Sequence, residues 1–160
     1  MKASDLIKKL EADPDYQEMQ KRRALELKER EAVLAEDERS LLEELSLIGY
    51  AIESVWDFVN NNNRHEFLRK FNGSYAGAYP TLVKHLTIEH HPRIREGIIR
   101  ALTEKDANEV ASESLLSEFY KEQDLNLKWV LANALRTVLT LSQKAKHPEY
   151  KEVYNGKGQP

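Results

Sequence analysis

The stretch Pro92-Arg93-Ile94-Arg95-Glu96-Gly97-Ile98-Ile99-Arg100-Ala101-Leu102 decides the reading of this chain, because its pattern returns further on. Ile94, Arg95, Ile98, Ala101 and Leu102 correspond to Leu127, Lys128, Leu131, Ala134 and Leu135, each displaced by thirty-three residues. The preceding segment obeys the same displacement: Leu82, Val83 and Leu86 correspond to Leu115, Leu116 and Phe119. Apolar residues at i, i+4, i+7 and i+8 form one face of an α-helix. A constant displacement across two such helices and their turn marks an internal repeat. A fainter copy lies upstream by thirty-one residues, with Ile52 and Val55 matching Val83 and Leu86, and Arg64, Phe67, Leu68 and Phe71 matching Arg95, Ile98, Ile99 and Leu102.

Working outward gives helix pairs over about 50–72, 79–103 and 106–145. Pro80 and Pro92 each open a helix, since proline suits the first turn and sacrifices no helical hydrogen bond there. Asn60 to Asn63 reads as a turn, a second helix spans 64–71, and Asn72-Gly73 closes it. The last pair runs from about Asp106 to Glu122 and from about Asn126 to Lys144. Together these pairs make a repeat domain over 49–146. Residues 1–48 read as an N-terminal helical extension: a short helix with Leu6, Ile7 and Leu10 on one side, then a long helix opened by Asp13-Pro14. Its Leu27, Leu34, Leu41 and Ile48 recur at sevens, but Glu31 and Glu38 occupy companion positions, so the heptad seam is narrow. Homo-oligomerisation through that helix is one expectation from this pattern. Another is that Leu6, Ile7, Leu10, Tyr16 and Met19 fold back to cover one end of the body. Residues 147–160 read as a flexible tail.

Composition removes several classes of function. The 160 residues carry 24 Lys+Arg against 27 Asp+Glu and no cysteine. Disulfides, thiolate nucleophiles and cysteine-ligated metals are therefore excluded. A net charge of -3 is a poor basis for binding nucleic acid or anionic membranes. No run has signal-peptide character or approaches the roughly 20 apolar residues of a membrane span, so cytoplasmic residence is the expectation.

The segment Pro92 to Leu102 resembles the second helix of a HEAT repeat, with its proline opener, aliphatic-basic pair and Ala-Leu ending. Leu127 to Leu135 looks like the same element. The resemblance is specific over about 79–140, weaker over 50–72, and does not include 1–48. Its closest flavour is the short HEAT-like repeat of bacterial scaffolds and phycobilisome-lyase-type proteins. The whole chain also looks like uncharacterised bacterial HEAT-like proteins with a Ser-Val-Trp-Asp-x-Val-Asn segment, here Ser54 to Asn60. What the resemblance implies is an all-α fold, a short right-handed α-solenoid of HEAT-like helix pairs with the long N-terminal helix as an extension. Physics agrees: each pair has an apolar face that only a neighbouring pair can bury.

In HEAT-like stacks the second helices line the concave side. With Ile94, Ile98, Ala101 and Leu102 turned inward, Arg93, Glu96 and Arg100 point away from the core. The repeat displacement then adds Asn126, Trp129 and Asn133, with Arg136 one turn on. These seven residues are the candidate partner-binding face. Trp129 stands where the preceding copy has Glu96, and an outward Trp beside Arg has hot-spot composition; the competing reading packs Trp129 against the tail or the first repeat. Arg95, Lys128 and Arg64 share one repeat position and read as structural bridges between repeats.

His85, Glu89, His90 and His91 invite a metal, but zinc needs three or four converging ligands. His85 and His90, five apart, are expected to diverge as solvated turn histidines. No metal and no cofactor is expected. No nucleophile elbow, phosphate loop or dinucleotide fingerprint occurs. The leading expectation is a non-enzymatic protein–protein interaction module, an adaptor or immunity-type binder. The alternative is a DNA-repair glycosylase-like HEAT protein using Trp129 and Asp124, against which the balanced charge argues. A lyase-type role on a bilin-carrying protein rests on repeat flavour alone.

Overall fold

The structure, a computed structural model, describes residues 3–61 and 73–157. Among them it is all-α, with no strand. The expected helix at 64–71, with Arg64, Phe67, Leu68 and Phe71, lies outside the described residues. The chain divides into two units, Met1–Glu36 and Asp37–Pro160.

In the first unit α1 (Ala3–Glu11) is followed by α2 (Pro14–Leu47), whose later turns belong to the second unit. Asp13 caps α2 by accepting from the backbone N–H of Asp15 at 2.9 Å, with Pro14 at the first helical position. No described residue of this unit is buried, and Leu6, Ile7, Leu10, Leu25, Leu27 and Val33 stand exposed.

The second unit begins at Asp37, earlier than the expected boundary after residue 48. The reason is that the last turns of α2 are core: Leu41 and Leu45 are fully buried and Glu38 nearly so. The Glu38 carboxylate accepts from the Val55 N–H at 3.0 Å and the Ser54 hydroxyl at 3.1 Å, which fastens α2 to the start of α3 (Trp56–Asn60). Gly49 ends α2 with φ at +99°, where a side chain would be strained, while the Tyr50 N–H returns to the Leu45 carbonyl.

Four helices follow as two hairpins: α4 (Tyr79–Leu86) with α5 (Pro92–Ala101), and α6 (Asn108–Lys121) with α7 (Leu125–Val138). First helix packs on first helix, α4 on α6, and second on second, α5 on α7; α3, which stands in the first-helix position of the fainter copy, packs on α5 instead of on α4. Burial follows the repeat register position by position. Leu82 and Leu115, Leu86 and Phe119, Ile94 and Leu127, Ile98 and Leu131, Ala101 and Ala134, Leu102 and Leu135 are all buried. The caps also match: His91 and Asp124, thirty-three apart, each accept a backbone N–H at the start of α5 and α7. Arg95 bridges the hairpins, as its repeat position suggested. It donates to the Leu86 carbonyl at 2.7 Å in its own hairpin, and to Glu118 at 2.9 Å and Glu122 at 3.3 Å in the next. Lys128 stays within its hairpin, donating to the Glu122 carbonyl at 3.3 Å beside the Phe119 ring.

The last expected helix is divided. α7 stops at Val138, Leu139 is extended, and α8 (Leu141–Lys146) starts afresh. Thr140 and Gln143 cap each other reciprocally there, and this capping box competes with continuation of α7. The tail is not loose over its described part. A turn of helix, α9 (Tyr150–Glu152), leads into a π-turn at Val153–Lys157, and Tyr150 is buried.

Candidate functional site

The seven expected residues fall into two sets. On α5, Glu96 pairs with Arg100 at 2.7 Å and with Arg93 at 3.7 Å. The Arg93 guanidinium also lies 3.7 Å over the Trp56 ring, and the Trp56 indole donates to the Arg93 carbonyl at 3.3 Å. Arg93 is exposed, while Glu96 and Arg100 are half-buried. On α7, Asn126 is exposed and Asn133 half-buried, and the site forms around Trp129 and Arg136. No ion pair or side-chain hydrogen bond among the described residues joins the α5 set to the α7 set.

Trp129 does not face an open hollow. Its ring stacks on Tyr154 of the tail, centroids 6.3 Å apart and planes within 13°. Arg136 lies two turns along α7, and its guanidinium sits 4.5 Å from the same Tyr154 ring. One tail tyrosine thus spans two of the expected residues. The cause is local: Tyr150, Val153 and Tyr154 share one side of a helical turn, and burying Tyr150 brings Tyr154 onto α7. That spacing is the sequence signal that argues against a flexible tail over its described part. The Trp129 indole N–H is shielded from solvent and has no hydrogen-bond acceptor among the described residues.

Arg136 also lines a cavity of about 600 Å³ with Lys105, Lys144, Asn108, Thr137 and Thr140, and with Leu141 at its rim. No acidic side chain lines it. An adjoining cavity of about 520 Å³ shares Lys105 and Thr137 and is walled by Tyr75, Tyr79, Glu104 and Asp106. Tyr79 donates to Asp106 at 2.6 Å, and Tyr75 donates to the Ala101 carbonyl at 2.8 Å. Burial, with Glu104 beside Tyr75 and Asp106 beside Tyr79, pushes both phenols well above their ordinary range. They stay protonated donors, not nucleophiles.

The histidines correct a second expectation. His85 and His90 do not diverge. Chain reversal after α4 sets His85 Nδ1 3.0 Å from His90 Nε2, and His90 Nδ1 2.9 Å from Asp37. Their side chains are 1% and 3% exposed, so they are core groups. His90 thus joins His85 to the Asp37 carboxylate, which accepts from His90 Nδ1–H. On the other side of the ring, His85 Nε2 is buried 3.4 Å from the Glu44 carboxylate. Burial holds the His85 pKa below its ordinary value, and the Lys84 ammonium, 2.7 Å from Glu44, holds that carboxyl low. His91 is exposed and caps α5. Among the described residues, no group of three or more His, Asp or Glu side chains is placed to hold a metal ion.

Asp124, offered with Trp129 for base chemistry on DNA, accepts from the Leu127 N–H at 2.8 Å as the cap of α7. Compared with protein families, curated proteins and solved structures, the chain matches none of them.

Proposed function

We propose that the protein is a non-enzymatic protein–protein interaction module. Its helix pairs form a short right-handed solenoid of HEAT-like type, and the concave second-helix face of α5 and α7 receives a segment of a partner. The matched burial at thirty-three-residue spacing supports the stacked architecture. The observation that carries the functional reading is Tyr154 seated between Trp129 and Arg136: the face already accommodates a short helical segment in cis. An adaptor or immunity-type binder would use it in trans. The buried groups support binding over chemistry, since Tyr75 and Tyr79 are held protonated and His85 and His90 are locked into the core.

Affinity capture tests this, comparing the intact protein with a Trp129→Ala, Arg100→Ala variant whose thermal melt is checked in parallel. A folded variant should lose specific proteins that the intact chain recovers. Recovery of the same set by both would remove this face from the function.

A further inference from the structure

We infer that the α7 face is a seat for an aromatic residue followed by acidic residues in a partner protein, and that the chain's own C-terminal segment holds the seat until that partner displaces it. This rests on the interaction reading above and names the partner's chemistry.

Three observations converge on it. The aromatic slot is defined in cis: Tyr154 lies between the Trp129 ring and the Arg136 guanidinium. With Tyr154 in the slot, the Trp129 indole N–H is buried without an acceptor among the described residues. An unsatisfied buried donor is a standing penalty, and an occupant that brings a carbonyl or carboxylate oxygen relieves it. Beside the slot, Lys105, Arg136 and Lys144 line one cavity, and none of them forms an ion pair among the described residues. In a chain with more acids than bases, three cations without an ion pair among the described residues line this cavity, while Glu104 and Asp106 wall only the adjoining one.

The tail's own acids precede Tyr154: Glu149 accepts from the Tyr120 hydroxyl, and Glu152 is exposed. After Tyr154 the sequence continues Asn155-Gly156-Lys157, without an acidic side chain. A partner segment with acidic residues in those places would keep the stacking and add charge-assisted hydrogen bonds to Arg136 and the two lysines. Leu141, 85% exposed at the rim, offers an apolar contact beside the cations.

The probe is a fluorescein-labelled peptide carrying residues 148–154 followed by three glutamates, with versions ending in three serines or three lysines. Fluorescence anisotropy with the full-length protein reads the affinity. The glutamate peptide should bind about tenfold tighter than the serine peptide, and Lys105→Glu with Lys144→Glu should abolish that preference. Tyr154→Ala in the protein, which empties the slot, should raise affinity for the glutamate peptide by about tenfold. If that variant melts early, the glutamate-over-serine preference of the intact chain still decides. Equal affinity for the glutamate and serine peptides overturns the inference. So does tighter binding of the lysine version, or light scattering that shows a dimer dissolved by Tyr154→Ala, since a second copy would then be the occupant. Partners lost in the Trp129→Ala, Arg100→Ala capture, with no glutamate preference here, would leave the interaction reading standing and remove only this inference.

Discussion

Replacing Gly97 with alanine sets two known effects against each other, and the packing decides the sign. Gly97 lies inside α5, where alanine is favoured over glycine by about 1 kcal/mol on helix propensity alone. The added Cβ would stand 2.7 Å from Val55 Cγ1, 3.0 Å from Trp56 Nε1 and 3.1 Å from Trp56 Cε2. These atoms are pinned. The Val55 N–H is held by the buried Glu38 carboxylate at 3.0 Å, and Trp56 is held by its bond to the Arg93 carbonyl and by the Arg93 guanidinium over its face. Overpacking of this kind costs about 1–3 kcal/mol. The net expectation is a loss of about 1 kcal/mol, or about 4 °C in melting temperature for a domain of this size. Urea unfolding followed at 222 nm measures it. The matching slot in the next hairpin is Val130, which is buried, so Val130→Ala removes volume and should cost about 1–2 kcal/mol. An unchanged or raised midpoint for Gly97→Ala would refute the claim that α3 is locked against α5.

Arg95→Ala strands Glu118 and Glu122, whose side chains are only 13% exposed, and should cost about 2–4 kcal/mol in urea unfolding. Arg95→Lys should recover only part of that, since an ammonium cannot reproduce the guanidinium fork across three acceptors; full recovery would contradict the bridging geometry. The folded chain keeps His85 neutral below its ordinary value of 6.5, with Glu44, Lys84 and His90 around it, while the unfolded chain takes up a proton there. Stability contributed by neutral His85 is therefore complete above that value and lost as pH falls below it, until the lowered folded pKa is reached. The urea midpoint should drop between about pH 7 and pH 5 and drop less in His85→Gln. Glu38, raised by burial, acts in the opposite sense nearer the ordinary carboxylate range. Equal slopes for both proteins would deny His85 that role. Trypsin should cut first at Lys21, Arg22, Arg23, Lys28 or Arg30, where α2 buries nothing, and leave a fragment containing 37–157; initial cleavage at Arg95 or Lys128 would contradict the burial pattern.

Much of the repeat was legible because its residues speak through periodicity. Ile94, Ile98 and Leu102 recur at helical spacing, and so do Leu127, Leu131 and Leu135, and burial in both hairpins follows that spacing. Pro92 opened its helix as expected. The site was less legible because its contacts are long-range. Nothing near Trp129 in sequence indicates Tyr154, and nothing near His85 indicates that Asp37, on another helix, fixes the His90 proton. Glu38 looked like one more exposed acid of a charged helix, and only the approach of Val55 and Ser54 makes it a core group.

The sequence by itself determined that helices form and which face of each repeat helix is buried, since both follow from local spacing, capping and proline placement, which depend on near neighbours along the chain. Tertiary structure alone decided what lies against those faces: the tail over Trp129, the His85–His90 pair against α2, and the cations Lys105, Arg136 and Lys144 around one cavity. Those pairings depend on where distant segments meet once the core has closed, and apolar periodicity selects the surface to be covered without specifying the side chain that covers it.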